Sequence, residues 1–277
     1  SGGAPGEAAV TREHWRYMDS GPQPGALNMA LDEALLDAHA AGEVPPTLRI
    51  YTWRPAAISL GRFQRIDASV DLDACQRLGI DVVRRPTGGR AILHTEEEVT
   101  FSLVVSEERL GTRGVMDSYR ALAAGIVAGL RSLGLDAKLV ERSAPSPTPA
   151  MAHDPACFAV KARCDLVVGS SKLVGSAQVQ RRGYILQQNS LPLRLQLEDW
   201  DGVFLRQSRP PAAMGLWEAA RREIPYAEVA QALRAGVSDA FGVVFEESPV
   251  SELELGRAQA LVDRAGVLGN TTRIPSA

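Results

Sequence analysis

The stretch Arg84-Arg85-Pro86-Thr87-Gly88-Gly89-Arg90-Ala91-Ile92-Leu93-His94 decides how the rest of the chain is read. It sets paired glycines in a turn between strand-like runs. Glycine has no Cβ and tolerates φ > 0, so a narrow ligand can lie against the bare main chain there. Paired glycines also make plain hairpin turns, and the chain has no Gly-x-x-x-x-Gly-Lys-Ser/Thr spacing of a phosphate loop. The flanking Arg84, Arg85, Arg90 and His94 add weight, because a turn rimmed by cations suits a ligand bearing a phosphate or a carbonyl.

Two further segments read with it. In Lys172-Leu173-Val174-Gly175-Ser176-Ala177-Gln178 small residues follow a lysine. They would leave open space beside its ammonium, which could then favour a nearby thiolate and hold a carbonyl oxygen. A lysine at a strand end is otherwise usually just solvated. Cys157 stands fifteen positions earlier, after a segment from Ser143 to Pro155 that holds four prolines and reads as a loop. No apolar periodicity makes Cys157 a core residue, and a loop-borne thiol near a cation is where a reactive thiolate is expected. Cys75 instead fits a small buried hydrophobe on a helix with Leu72 and Leu78, and Cys164 heads an apolar strand. No His/Asp/Glu cluster has metal-ligand spacing, so no metal is expected.

Working outward, residues 25–41 carry Leu27, Leu31, Ala34, Leu35 and Ala38 at helical spacing. Strands are expected at 47–53, 56–60 and 80–84, with a short helix over 72–78. Val99, Phe101, Leu103 and Val105 alternate as a strand with one face buried. A helix over 117–133, a hairpin of 165–169 with 172–178 turning at Gly169-Ser170-Ser171, and a strand over 184–193 follow. Helices are expected at 200–206, 226–241 and 251–265. Strands early, with helices around and after them, predict an α+β fold of one domain: a mixed β-sheet flanked by helices. Residues 1–10 read as a flexible N-terminal segment, 11–250 as the catalytic domain, and 251–277 as a C-terminal helix and tail.

The 277 residues carry 30 Lys+Arg against 33 Asp+Glu, a formal charge of −3, which argues against a general nucleic-acid binder. Local basic pairs remain: Arg62 with Arg65, Arg84-Arg85, Arg181-Arg182 and Arg221-Arg222 could line a face that meets an acidic partner or could simply be solvated. No apolar run approaches the roughly 20 residues needed to cross a bilayer, and Ser1 to Val10 lack signal-peptide character, so a cytoplasmic protein without membrane contact is expected. Three cysteines with no Cys-x-x-Cys pair indicate neither a disulfide framework nor a structural zinc. Nothing demands more than a monomer.

The residues quoted so far, together with Asn28-Met29-Ala30-Leu31-Asp32-Glu33, Arg49-Ile50-Tyr51-Thr52-Trp53-Arg54-Pro55, Ser59-Leu60-Gly61-Arg62-Phe63-Gln64 and Ala156-Cys157-Phe158, give the chain a resemblance over most of its length. It resembles the biotin/lipoate protein ligase catalytic-domain family, and within it the LipM-type octanoyltransferases, which share the fold of lipoate ligase A. The resemblance implies a mixed sheet enclosing an acyl tunnel along the glycine turn. It implies that Cys157 takes octanoate from octanoyl acyl carrier protein as a thioester, and that Lys172 activates the thiol and steadies the carbonyl. The acyl group would then pass to a lysine of a lipoyl domain, typically the glycine cleavage H protein, supplying the precursor for lipoate synthesis. Arg85, Thr87, Gly88, Gly89, Arg90, His94, Gly175, Ser176, Ala177, Gln188 and Asn189 are the substrate-binding residues so implied. No cofactor is expected, since thioester exchange is nearly balanced and the final amide is more stable.

The chain departs from the family's common pattern at Gln188-Asn189, where His-Gly is usual, at Thr95 in place of Asp, and at Cys164 in place of an aromatic residue. The closest rival is an ATP-dependent lipoate ligase acting through an acyl-adenylate. Against it stand Arg90 where ligases usually carry a third glycine, the few residues after Ser251, and a Cys157 left without a task. An amidotransferase between lipoyl domains and a non-catalytic acyl-binding or carrier-binding homologue complete the alternatives.

Overall fold

The computed structural model describes residues 12–66, 70–141, 164–195, 202–205 and 213–265. The expected flexible segment 1–10, the proline-rich loop, Cys157 and the tail beyond residue 265 lie outside them.

Two sheets organise the described residues. The larger is built from β1 (Glu13–Gln23), β2 (Thr47–Trp53), β6 (Glu98–Ser106), β7 (Ala137–Glu141), β8 (Cys164–Val168), β9 (Ser171–Arg181), β10 (Tyr184–Pro192) and β11 (Val243–Glu247) in the order β11-β1-β2-β6-β10-β9-β8-β7. β1 runs parallel to both of its neighbours, and the remaining pairs are antiparallel. The smaller sheet contains β3 (Ala57–Leu60), β4 (Asp81–Arg84) and β5 (Ile92–His94) in the order β4-β3-β5. Helices α1 (Gly25–Ala40), α2 (Leu72–Leu78), α3 (Glu107–Leu110), α4 (Val115–Ser132), α5 (Leu216–Ala220), α6 (Tyr226–Phe241) and α7 (Glu252–Ala265) complete the α+β arrangement expected from the sequence.

The period-2 alternation of the central strands sorts side chains between two different layers. From β2 and β6, Leu48, Ile50, Val99, Phe101, Leu103 and Val105 enter the main core with Leu122, Ile126 and Leu130 of α4 and Leu233 and Val237 of α6. The intervening Arg49, Tyr51, Trp53, Thr100 and Ser102 point to the α1 side and are buried as well. β6 therefore has two buried faces, where its alternation predicted one. Helices lie over both faces, and its hydroxyls are tolerated because each has a hydrogen-bond partner.

Residues 202–205 form a turn and an isolated bridge, Phe204 to Val70, in place of the expected helix over 200–206; Val203 and Phe204 plug the core under the small sheet. Strands β1, β7 and β11 and the short α3 and α5 had no distinct sequence signal. β1 begins with polar residues, β11 is only five residues long, and their parallel pairing depends on partners far away in sequence. The C-terminal helix α7 is part of the core: Ala258 packs against Ala30, Leu31 and Ala34 of α1, and Glu254 pairs with the buried Arg16 of β1.

Helices α4 and α6 touch backbone to backbone at Gly125, Gly129 and Gly236. A Cβ on Gly236 would stand 2.3 Å from Gly129 N and 2.5 Å from Gly125 O. Gly236→Ala should force the helices apart and cost about 1–3 kcal/mol, read as a lower urea midpoint at unchanged m. An unchanged midpoint would mean that the helices can separate freely.

Candidate active site

Asp32 of α1 is fully buried beneath the sheet and accepts four hydrogen bonds. Arg49 Nη1 (2.7 Å) and Ser102 Oγ (2.8 Å) reach Oδ1, while Tyr51 Oη (2.9 Å) and Gln188 Nε2 (2.7 Å) reach Oδ2. The guanidinium of Arg49 also donates to Asn28 O (3.0 Å), Asn28 Oδ1 (2.6 Å) and Ser20 Oγ (2.9 Å), and lies over the Tyr51 ring. Burial, reinforced by the Asp32 charge, pushes the Tyr51 phenol well above its ordinary range, so it stays a donor.

Gln188 carries this network to the glycine turn. Its Oε1 accepts from Thr87 Oγ1 at 2.7 Å while its amide donates to Asp32. The turn is not a hairpin, because β3 lies between β4 and β5, so residues 85–91 must cross over the end of β3. At that crossing a Cβ on Gly61 would lie 1.9 Å from Gly89 O, and Gly89 itself has φ +90°. Arg85 is buried inside the crossover and donates to Ser59 O (2.7 Å), Gly88 O (2.7 Å) and Arg90 O (2.7 Å). Arg84 holds the adjoining turn through the carbonyls of Gly61 (2.9 Å) and Gln64 (2.8 Å).

Against this frame lies a narrow pocket walled by Met29, Tyr51, Trp53, Ser59, Arg85, Ile92, His94, Thr100, Gly175, Ala177, Gln188, Asn189 and Ser190. His94 is buried and stacked on Trp53, with ring centroids 3.9 Å apart. Its Nε2 meets Ser59 Oγ at 2.7 Å and its Nδ1 meets Glu98 Oε1 at 2.8 Å. The Trp53 indole donates to Thr100 Oγ1 at 2.7 Å. Most polar atoms of the wall are hydrogen-bonded, Ser190 Oγ being buried without a partner, and the wall is otherwise largely aromatic and aliphatic.

Lys172 lies near the head of β9, three residues before Gly175 and five before Ala177. It is 4% exposed, and its Nζ sits 2.9 Å from Oδ1 of Asp165, which is itself 1% exposed. Lys172 is thus buried against a counter-charge, unlike an ordinary solvated strand-end lysine. Its backbone carbonyl accepts from Met214 N at 3.1 Å, which closes that end of the strand. The arrangement offers an immobilised cation on the same strand as an apolar slot, able to stabilise an anion or a carbonyl oxygen.

Six of the expected binding residues wall the cavity: Arg85, His94, Gly175, Ala177, Gln188 and Asn189. Thr87, Gly88, Gly89 and Arg90 form the crossover beside it, with Arg85 spent on main-chain carbonyls and Thr87 on Gln188. Ser176 is half-buried between the two wall residues Gly175 and Ala177. Cys157 lies outside the described residues. Asp165, Ser59, Trp53 and Thr100 had not been singled out. For Trp53 and Thr100 the alternation of β2 and β6 held the signal, since both fall on the polar side; for Asp165 only strand pairing brings it opposite the lysine. Cys75 is buried, and burial pushes its thiol up to about 11. Among the described residues no group of three or more His, Cys, Asp or Glu could hold a metal ion.

The family model described as the lipoyl protein ligase A/B catalytic domain matches residues 24–238, and the chain belongs to that family. It is 40% identical to the octanoyltransferase LipM of Symbiobacterium thermophilum, over 90% of this chain and 94% of that one. It is also 40% identical to the octanoyltransferase LipM of Kyrpidia tusciae, with the same coverage. Among solved structures, a lipoate-protein ligase A bound with ATP superposes with a TM-score of 0.77 at 26% identity, over 91% of this chain and 95% of that one. No helix among the described residues is long and apolar enough to cross a membrane.

Two outcomes follow from the geometry. Asp165→Ala strands a buried ammonium and should cost about 3–5 kcal/mol in urea unfolding, whereas a surface pair such as Lys138–Asp136 should cost under about 1 kcal/mol. With a thiol held near 11, only about one Cys75 in a thousand is ionised at pH 8, so peptide mapping after alkylation should find it unmodified until the protein is unfolded. Rapid native labelling of Cys75 would contradict the burial described.

Proposed function

We propose that this protein is an octanoyltransferase of lipoate biosynthesis, taking octanoate from octanoyl acyl carrier protein onto Cys157 and passing it to the lysine of a lipoyl domain such as the glycine cleavage H protein. The observation that carries the reading is the buried Lys172–Asp165 pair on the strand whose Gly175 and Ala177 wall an apolar slot. The LipM relatives, at 40% identity over nine-tenths of the chain, supply the transferase chemistry. The protein acts in this reading as a monomer in the cytoplasm.

In the first half-reaction the Cys157 thiolate attacks the thioester carbonyl carbon of the carrier. The Lys172 ammonium donates to the oxyanion of the tetrahedral intermediate, whose collapse breaks the bond to the carrier sulfur; the carrier leaves as a thiolate, takes a proton from water, and the Cys157 thioester remains. In the second, the neutral amine of the acceptor lysine attacks that thioester. The amide forms, the Cys157 thiolate departs, and the amine's proton is released. Asp165, 2.9 Å from Lys172 Nζ, holds that side chain in place so that it serves both steps. Alkyl carbons entering the slot gain about 0.8 kcal/mol per methylene, about fourfold in binding, which makes chain length a quantity the pocket can measure.

The likeness to an ATP-bound lipoate-protein ligase A favours one competing reading, activation of a free acid by ATP. Intact-protein mass spectrometry separates the two. Wild type mixed with octanoyl acyl carrier protein without ATP should gain one octanoyl group and pass it to an H protein. Cys157→Ala should gain none, and Lys172→Ala should load at least about a hundredfold more slowly. Acyl transfer to the H protein only when ATP and free acid are supplied, undiminished in Cys157→Ala, would make the protein a ligase.

A further inference from the structure

Phe63 is 87% exposed, the most exposed large hydrophobic side chain among the described residues. It sits in the turn Gly61-Arg62-Phe63-Gln64-Arg65-Ile66, which is bolted to the glycine crossover: Arg62 N donates to Thr87 O at 2.9 Å, Gly61 abuts Gly89, and Arg84 Nη1 ties the carbonyls of Gly61 and Gln64. Residues 61–66 and 84–90 together contain five arginines and no carboxylate, in a chain whose formal charge is −3. Arg85 is buried inside the crossover, while Arg62, Arg65 and Arg84 are exposed; the Arg62 guanidinium lies 5.6 Å from the Phe63 ring centroid.

An exposed aromatic ringed by arginines is the composition of a binding hot spot, and its charge selects an acidic partner. Its place argues which one. The turn is bonded to the glycine crossover, whose Arg85 walls the slot, so a protein seated on it is held close to the cavity. That distance suits a carrier that presents its acyl thioester on a flexible arm; it does not suit an acceptor whose own lysine must reach the enzyme-bound acyl group. We propose that the turn carrying Arg62 and Phe63 is the docking surface for the acidic face of the acyl carrier protein that donates the acyl group. The inference rests on the transferase reading above and adds the donor's seat to it.

The test compares a carrier-borne donor with a carrier-free one. In Arg62→Glu/Phe63→Ser, kcat/KM for loading from octanoyl acyl carrier protein should fall at least about tenfold, while loading from octanoyl-pantetheine stays within about twofold. Added salt should slow carrier-dependent loading of wild type more than that of the variant. Equal losses with both donors would make the turn a support of the cavity, and no loss with either would make the patch idle; both overturn the proposal. So would a defect confined to transfer from preloaded enzyme to the lipoyl domain, which would hand the patch to the acceptor. A wild type that takes octanoate from neither donor removes the transferase reading itself, and the docking surface with it.

Discussion

The carboxylate of Asp32 is the constraint on which the rest of the site depends. Burying a carboxylate and a guanidinium costs several kcal/mol per ion unless geometry and further hydrogen bonds compensate. Here the compensation is dense, with Arg49, Ser102, Tyr51 and Gln188 all donating to the one carboxylate and Asn28 and Ser20 absorbing the remaining guanidinium donors. These donors come from β2, β6 and β10, so one side chain of α1 fixes the mutual register of helix and sheet. An apolar cluster of the same volume would hold the layers together without specifying their rotation or sliding.

That register is passed to the site through Gln188. Thr87 donates to its carbonyl and Asp32 receives its amide, so the glycine crossover is held at a set distance from β10. The narrow cavity opens between these two elements. On the β9 side its wall is the side-chain-poor Gly175 and Ala177, which leave room for the slot. At this point of β10 a glutamine has both the acceptor for Thr87 and the donor for Asp32.

The site combines two electrostatic regimes. Around the slot, Ser59, His94, Glu98, Thr100 and Trp53 satisfy one another, so the lining offers a ligand little but hydrocarbon. At the head of β9 the opposite holds, where buried Lys172 pairs with Asp165. An apolar slot whose wall includes residues of the strand that carries a buried cation is suited to an acyl group, apolar along its length and polar at the carbonyl.

Much of this was legible in the residues alone. Helical spacing placed α1, α4 and α6, alternation placed β2, β6 and β10, and the glycine turn, Lys172 and the small residues after it marked the wall of the cavity. What could not be read was every feature set by partners distant in sequence. β1 and β11 become strands because each completes the other's parallel pairing, and residues 202–205 bridge to Val70 where local pattern favoured a helix. Arg85 and Arg84 looked like ligand-facing cations and instead close main-chain turns, because an exposed-looking arginine is indistinguishable from a buried one until its acceptors are placed. Lys172 was marked by the small residues after it, but its partner Asp165 was not, because only the pairing of β8 with β9 brings the two side chains within reach. The sequence by itself determined which residue types were available and on which face of their own element they fall, since periodicity is a local property of the backbone. Only the tertiary structure decided which charges are buried and paired, because burial and pairing depend on which elements pack together.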